Sequence, residues 1–369
     1  MAQDDPTRRH LLLAGGGTGG HVFPALALAD ELRRRGWAVS FAGTERGLEA
    51  RLVPARGVDF HALPARPVLG RGPVEKAAAA WTLAWSGLAA RRLVRRLGSR
   101  VVVGTGGYAS APAVVGGWLA ARPTLLVEPN ARAGAANRWL SRFAERAAVA
   151  YPEAGRGLRC PAVVTGVPVR AEFFAVPAPP PAAVPRLLVL GGSQGARQLN
   201  LALPPALAAV RAALGGAPSF EVLHQSGPRH LEETRSAYGA AGLEDVEVAP
   251  FFEDVAAAMA GAHLIVSRAG AITLAEVCAA GRPALLLPLA IAGGHQVDNA
   301  RALESAGAAR ALTAAEFTPE PLAAVLRELI ADPARLAAMG RAARALARPG
   351  AAAAIADQIE ELAEAKRPR

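Results

Sequence analysis

An apolar run leads straight into a glycine-rich turn at two distant points of this 369-residue chain. HLLLAGGGTGG occupies residues 10–20, and RLLVLGGSQG occupies residues 186–195. Further short apolar runs alternate with Ala- and Leu-rich helical patterns after each of them. Continuous apolar strands separated by helices are typical of a parallel sheet that is covered on both faces. The sequence therefore predicts an α/β fold with two Rossmann-like, doubly wound parallel-sheet domains.

The length of the chain also favours two domains, because single cores rarely grow this large. We set the domains at 1–168 and 169–349. The stretch VPAPPPAAVP (176–185) is too rich in proline for a helix or a central strand and predicts a linker. The tail at about 350–369 predicts a final amphipathic helix that could pack back on the N-terminal domain, although its pattern does not decide where it docks.

The formal net charge of +10 calls for an anionic partner: nucleic acid, an acidic membrane surface or a phosphorylated substrate. No nucleic-acid recognition motif supports the first. Two cysteines, Cys160 and Cys278, form no disulfide framework and fit a reducing cytosol, and the N-terminus offers no signal-peptide pattern. The uncharged segment 101–121 is long enough to span a bilayer, but its five glycines and Pro112 favour strand, glycine loop and helix.

The first glycine loop matches the dinucleotide pattern G-x-G-x-x-G at Gly15, Gly17 and Gly20. A dehydrogenase also needs an acid at the end of the second strand, and Glu45 in FAGTERG comes one residue late. The loop therefore predicts a phosphate site without specifying a nicotinamide cofactor. His21 is either a helix residue bonded to a nearby carbonyl or a general base beside the phosphates.

The loop that opens the second half contains G-x-S-x-G, the nucleophile elbow of α/β-hydrolases. Ser193, Asp254 and His263 or His295 would supply a triad in the permitted order. The loop opens a separate domain, however, and Ser193 at a helix start suits a phosphate contact equally well. The middle loop GTGGYASAP (104–112) is either a tight turn or a binding loop.

The segment 267–303 carries the most chemical information. After the strand HLIVS, Gly270 and Ala271 open a helix whose free N–H groups can bind a diphosphate. Glu276 could hold two ribose hydroxyls, or it could form a capping box with Thr273. The following GGHQVDNA places polar groups at another helix start, suited to sugar hydroxyls or to ordinary capping.

Taken together, these segments resemble the two-domain GT-B glycosyltransferases, and most closely the family of N-acetylglucosaminyltransferases that convert lipid I to lipid II in peptidoglycan synthesis. The resemblance covers nearly the whole chain. It rests on GGGTGGHVFPALALADEL (15–32), GTGGYASAP (104–112), EPN (128–130), TGVPVR (165–170), GGSQGARQLN (191–200), SRAGAITLAEVCAAGRPALLLPL (267–289) and HQVDNA (295–300).

The resemblance implies that the two domains face a cleft, the first turned toward the acceptor and the membrane and the second binding the UDP-sugar. It implies inverting transfer from UDP-N-acetylglucosamine to the muramyl sugar of undecaprenyl-pyrophosphoryl-MurNAc-pentapeptide, by a peripheral protein at the cytoplasmic face of the membrane. Contacts with other cell-wall synthesis proteins are also implied. An epimerase of the same fold acting on UDP-N-acetylglucosamine, and a non-catalytic nucleotide-binding membrane module, remain the alternatives.

Donor-binding residues follow from the resemblance, position by position. The implied set is Thr18, Gly19, Gly20, Asn130, Arg170, Ser193, Phe252, Ala271, Ile272, Thr273, Leu274, Ala275, Glu276 and Gln296. Two positions depart from the family pattern. Pro129 stands where glutamine is common, and Ala269 stands where serine is common.

The reaction needs a base for the acceptor hydroxyl and positive charge for the leaving UDP. His21 is the candidate base, with Glu128 second. The chain contains no Asp-x-Asp motif, so we expect neither a metal nor a cofactor. The dipole of the donor helix and Arg170 would then stabilise the diphosphate.

A membrane-facing patch is predicted on the helical segment 72–100. At helical spacing one face combines apolar and basic side chains, a mixture that suits an anionic lipid surface. The alternative is a helix buried on both sides. The predicted patch consists of Val74, Trp81, Trp85, Leu88, Arg92 and Arg95.

Overall fold

The structure is a computed structural model, and it describes residues 9–66, 72–180, 184–192, 194–215, 220–289 and 294–365. The chain divides into two compact units. The first comprises Met1–Val169 and Arg348–Arg369, and the second comprises Arg170–Ala347. Each unit is built on its own parallel sheet, so the predicted fold class is confirmed.

The described part of the first unit contains a seven-stranded parallel sheet. Its strands are β1 (His10–Ala14), β2 (Ala38–Gly43), β3 (Asp59–Ala62), β4 (Val101–Gly104), β5 (Thr124–Glu128), β6 (Arg146–Val149) and β7 (Ala162–Val164). They lie in the order β3-β2-β1-β4-β5-β6-β7. The strand order reverses between β1 and β4, which pair with Ala14 opposite Gly104. Ligands of doubly wound sheets bind beside such a reversal, and the two glycine loops of this unit begin there.

Helices cover both faces of this sheet. They are α1 (Gly19–Arg34), α2 (Glu49–Ala55), α3 (Pro73–Arg96), α4 (Ala111–Leu119), α5 (Ala135–Leu140) and α6 (Pro152–Gly155). All five residues of β1 are buried, as expected for a central parallel strand. Because side chains alternate along a strand, Leu11 and Leu13 join the core beneath α1, while Leu12 and Ala14 join the core beneath α3 and α4.

The uncharged segment 101–121 forms a strand, a glycine loop and the short helix α4, which confirms the sequence prediction. Among the described residues, no helix combines the length and the apolar character needed to cross a membrane.

The described part of the second unit contains a six-stranded parallel sheet. Its strands are β8 (Arg186–Leu190), β9 (Glu221–Gln225), β10 (Glu247–Ala249), β11 (Leu264–Ser267), β12 (Ala284–Leu286) and β13 (Ala309–Ala311). Its helices are α7 (Ala171–Phe174), α8 (Arg197–Ala213), α9 (Leu231–Ala240), α10 (Val255–Ala260), α11 (Ala271–Ala280), α12 (His295–Ser305), α13 (Pro319–Ile330) and α14 (Pro333–Leu346). The strand order β10-β9-β8-β11-β12-β13 reverses between β8 and β11, where Leu190 pairs with Ser267.

The proline-rich stretch is not a free linker, because its described residues lie on the second unit. The buried guanidinium of Arg282 donates a hydrogen bond to the carbonyl of Pro177. The His263 ring Nε2 lies 2.9 Å from the Pro180 carbonyl oxygen and donates to it. Proline cannot continue a helix or a central strand, but its carbonyl remains a good acceptor. The described residues of this stretch, 176–180 and 184–185, therefore belong to the second unit, and two of their carbonyls are bound by it.

The last helix, α15 (Ala351–Ala365), returns to the first unit. Its apolar side, which includes Ile355 and Ile359, joins the core beneath α1. Glu360 accepts hydrogen bonds from Arg35, at 2.8 Å, and from the Trp37 indole N–H, at 3.1 Å. The apolar stripe seen in the sequence is thus buried against the first unit.

Candidate functional site

His21 lies in the first turn of α1, directly after the first glycine loop. Its Nδ1 is 3.1 Å from the carbonyl oxygen of Thr105. A carbonyl only accepts, so Nδ1 carries the proton and Nε2 is the unprotonated nitrogen. Burial lowers the pKa of His21, although the Glu128 and Glu49 carboxylates act in the opposite direction. The imidazole is therefore neutral near pH 7, and its Nε2 can accept a proton.

The middle glycine loop packs around this histidine. Gly106 and Gly107 both have positive φ, at 99° and 74°. A Cβ at Gly106 would lie 2.8 Å from His21 Nδ1, and one at Gly107 would lie 2.6 Å from the Gly16 carbonyl oxygen. The loop is thus a tight turn that also packs against the His21 ring and restricts its orientation.

The predicted donor residues of the first loop lie at the start of α1. Thr18 is the N-cap residue, is exposed, and makes no side-chain capping bond. Gly19 and Gly20 begin the helix itself. Both glycines therefore lie in the first turn of α1, next to His21.

Glu128, the second candidate base, is almost fully buried at the end of β5. Its carboxylate accepts hydrogen bonds from Asn130 N at 3.0 Å and Asn130 Nδ2 at 2.9 Å. It also accepts from Gly134 N at 2.8 Å and Asn137 Nδ2 at 3.0 Å. Four donors occupy both oxygens, so the geometry favours His21 as the base. Pro129 has no N–H to contribute, and the bonds go to its neighbours, which explains how this departure fits the loop.

The first turn of α11 holds the predicted diphosphate site of the second unit. Its N-cap is Gly270, which has no side chain to bond the first N–H groups. Those groups belong to Ala271, Ile272 and Thr273, three of the predicted donor residues, and Leu274 and Ala275 continue the same helix. The carbonyl of Ala269 accepts a hydrogen bond from the buried Asn299 at 3.2 Å, which fixes the entry into the helix. Ser193 lies outside the described residues.

Glu276 is the sixth residue of α11 and is too far along to form the capping box with Thr273. Its carboxylate lies 3.7 Å from Arg170 Nη2, and Arg170 also pairs with Glu172 at 3.0 Å. Burial raises the pKa of Glu276 to about 7, and the neighbouring Arg170 only partly offsets this effect. A buried carboxylate in this position can accept two hydroxyl hydrogen bonds from one ligand.

Two further predicted donor-binding residues, Gln296 and Phe252, each use one polar group in a hydrogen bond within the protein. The Gln296 side-chain oxygen accepts from Leu289 N at 3.0 Å, which leaves its amide nitrogen to donate to a ligand oxygen. The Phe252 N–H donates to Oε1 of the buried Gln225 at 3.0 Å. Sequence reasoning missed Gln225, because only the paired strands bring it near Phe252.

The positions of Asp254 and His263 argue against a hydrolase triad built on this pair. Asp254 caps α10 by accepting from Ala257 N at 2.9 Å. Both His263 ring nitrogens are engaged, with Arg186 N at 3.0 Å and with the Pro180 carbonyl. His263 also precedes β11 and so lies at the N-terminal ends of the strands, whereas the glycine loop of this unit follows a C-terminal end.

An exposed aromatic surface lies on α3. Trp81, Trp85 and Leu88 are 69%, 58% and 42% exposed, so the doubly buried alternative for this helix is wrong. Arg92 and Arg95 are exposed on the same helix. The side chain of Val74 lies outside the described part of the structure. Sequence reasoning missed Trp118 on the neighbouring helix α4, which is 52% exposed and packs on Phe143 at 5.2 Å between ring centroids.

Glu49 is the other functional candidate that the sequence did not reveal. It is the first residue of α2 and is fully buried beneath the first glycine loop. No motif marks it, and glutamate is normally exposed.

Comparison with known proteins places this architecture in a family. Residues 11–149 match the glycosyltransferase family 28 N-terminal domain, and residues 186–359 match the glycosyltransferase family 28 C-terminal domain. The chain is 46% identical, over 96% of its length and 99% of the relative's, to the UDP-N-acetylglucosamine--N-acetylmuramyl-(pentapeptide) pyrophosphoryl-undecaprenol N-acetylglucosamine transferase of Halorhodospira halophila.

Comparison with solved structures supports the same family. The crystal structure of Acinetobacter baumannii MurG matches with a TM-score of 0.77 at 33% identity, covering 96% of this chain and 99% of that one. A UDP-GlcNAc 2-epimerase from Neisseria meningitidis matches with a TM-score of 0.68 at 12% identity, covering 96% of this chain and 100% of that one. At that identity the epimerase shows a shared fold alone. The chain belongs to glycosyltransferase family 28 and, within it, to the family of MurG.

Proposed function

We propose that this enzyme is an inverting glycosyltransferase that moves N-acetylglucosamine from UDP-N-acetylglucosamine to the muramyl sugar of lipid I, giving lipid II. The observation that carries the proposal is the 46% identity over 96% of the chain with a transferase of that name. The histidine at the first strand reversal and the open helix start at the second reversal supply the chemistry that such a transfer needs.

In the proposed reaction, the acceptor hydroxyl oxygen attacks C1 of the donor sugar from the face opposite UDP. Nε2 of His21 takes the hydroxyl proton, the new C1–O bond forms, and the C1–O bond to UDP breaks. The first turn of α11 and the guanidinium of Arg170 stabilise the diphosphate charge that develops. Glu276 accepts hydrogen bonds from the ribose, and Gln296 donates to a sugar hydroxyl. A backbone group of Phe252 holds the uracil.

The acceptor is carried by a lipid, so we further propose that the protein binds the cytoplasmic face of the membrane as a peripheral protein. Trp81, Trp85 and Leu88 would enter the interfacial region, where amphipathic aromatic rings are favourable. Arg92 and Arg95 would contact anionic headgroups, and each basic group near such a surface contributes about 1 kcal/mol. The exposure of the three apolar side chains supports this assignment.

Incubation of the protein with UDP-N-acetylglucosamine labelled in the sugar and with a lipid I analogue tests the proposal. We expect the label to move into the lipid fraction. Recovery of the label as a UDP-sugar of changed configuration would favour an epimerase, and binding without any turnover would favour a non-catalytic module. Either result would overturn the proposed function.

A further inference from the structure

The buried carboxylate of Glu49 accepts hydrogen bonds from three donors, which lie in the loops that follow β1 and β2 of the first sheet. Oε1 accepts from Thr44 N at 2.9 Å and from Thr44 Oγ1 at 2.7 Å. Oε2 accepts from Gly17 N at 3.0 Å. The carboxylate therefore joins the turn after β2 to the first glycine loop, in which Gly17 lies 32 residues before Glu49.

Three glycines leave the space that this carboxylate occupies. A Cβ at Gly16 would lie 2.2 Å from Glu49 Oε1, and one at Gly47 would lie 2.1 Å from the same atom. A Cβ at Gly43 would lie 2.5 Å from Glu49 Cγ. A Cβ at any of these positions would displace the Glu49 side chain, so the three glycines leave room for an internal anion.

The arrangement has an electrostatic consequence for the first glycine loop. The Gly17 N–H, which a dinucleotide-binding loop would offer to a phosphate, already donates to a carboxylate. A fixed negative charge thus lies beneath the loop that leads into His21. Two carboxylates act to raise the pKa of His21 against the larger effect of burial: Glu128, at the end of β5, and to a smaller extent Glu49, on α2.

We propose that Glu49 is a positioning residue for the transfer reaction: it holds the glycine loop in shape through Gly17, and its charge stabilises His21 after the histidine has taken the acceptor proton. Glu49 does not itself contact substrate, because it is fully buried and both oxygens are occupied. Preorganised charge of this kind lowers the cost of forming an ion in a site that excludes water. The proposal rests on the proposed function, in which His21 is the base.

The test compares the wild-type protein with Glu49→Gln, which keeps the size of the side chain and removes its charge. Glu31→Gln is the control, because Glu31 lies on the same unit and pairs with Arg34 and Arg35 on the surface. We expect Glu49→Gln to lower the pKa of His21, measured by NMR titration of the ring, and to move the acid limb of the pH profile of kcat to lower pH. We also expect kcat at its plateau to fall at least about tenfold, because the catalytic ring is misplaced. The control should match wild type in the pKa of His21, in the position of the acid limb and in the plateau value of kcat.

A folded Glu49→Gln protein with an unchanged His21 titration and an unchanged acid limb would overturn the proposal, since a purely structural role moves neither. Thr44→Val supplies a second test if Glu49→Gln does not fold, because it retains the charge and removes one donor. We expect it to lower kcat several-fold with the acid limb in place, and a wild-type kcat would overturn the positioning role. If the wild-type protein transfers no sugar, the proposed function fails, but the NMR titration still decides whether Glu49 acts on His21.

Discussion

Glu276 gives the second unit a pH-dependent stability that one substitution should remove. Burial raises the pKa of its carboxyl from an ordinary value of 4.5 to about 7. The folded protein therefore holds this proton over a range in which the unfolded chain releases it. The stabilising contribution is fully present below pH 4.5 and is lost as the pH rises through 7. The whole shift corresponds to about 3 kcal/mol, most of which falls between pH 5 and pH 8.

Glu276→Gln cannot titrate, so its free energy of unfolding should lack this component. The advantage of wild type over the variant should shrink by about 2 to 3 kcal/mol from pH 5 to pH 8. Tryptophan fluorescence is the wrong probe, because all five tryptophans, residues 37, 81, 85, 118 and 139, lie in the first unit. Urea-dependent hydrogen exchange of peptides from β11 and α11 reports the second unit directly.

Glu232→Gln is the matched control, because Glu232 lies on the same unit, its side chain is 81% exposed, and it pairs with Arg235 rather than with Arg170. Its stability difference from wild type should stay constant over this pH range. Parallel pH curves for wild type and Glu276→Gln would refute the reasoning. They would mean that the carboxyl is already ionised in the folded protein at pH 5, in spite of its burial.

Three further results are expected from the proposed function. His21→Ala should lower kcat by about 10²- to 10⁴-fold while leaving the Kd for UDP unchanged, since general bases contribute on that scale; near-normal turnover would remove His21 as the base. Replacement of Trp81 and Trp85 by Ser should weaken binding to anionic vesicles in a sedimentation assay, and unchanged binding would refute the membrane patch. Addition of EDTA should leave the initial rate of transfer unchanged, because a helix terminus and Arg170 are proposed to stabilise the leaving diphosphate; loss of activity that Mg²⁺ restores would contradict this.

The sequence predicts the fold class because its strongest signals are local. The apolar runs that became β1 and β8 are short, continuous and followed by glycine, a pattern that few folds other than a parallel α/β sheet produce. The strand, loop and helix of segment 101–121 were predicted correctly for the same reason.

Features that depend on contacts between residues far apart in the sequence could not be predicted from such local patterns. Glu49 is buried only because Gly17 and Thr44 converge on it, and nothing in its own neighbourhood indicates that burial. The four donors around Glu128 became visible only once the 128–137 loop had folded, and they separate it from His21 as a base. The carbonyls of Pro177 and Pro180 likewise accept hydrogen bonds from Arg282 and His263, about 100 and 80 residues away, which the local sequence does not indicate.

The stereochemistry of the product tests the central claim most directly. Wild-type protein is incubated with UDP-N-acetylglucosamine and a soluble lipid I analogue, and the new glycosidic linkage is assigned from its anomeric proton coupling by NMR. Direct displacement with His21 as base predicts one β-linked N-acetylglucosamine for each UDP released, and no UDP release without the acceptor. An α-linked product, or UDP release that does not depend on the acceptor, would contradict the account.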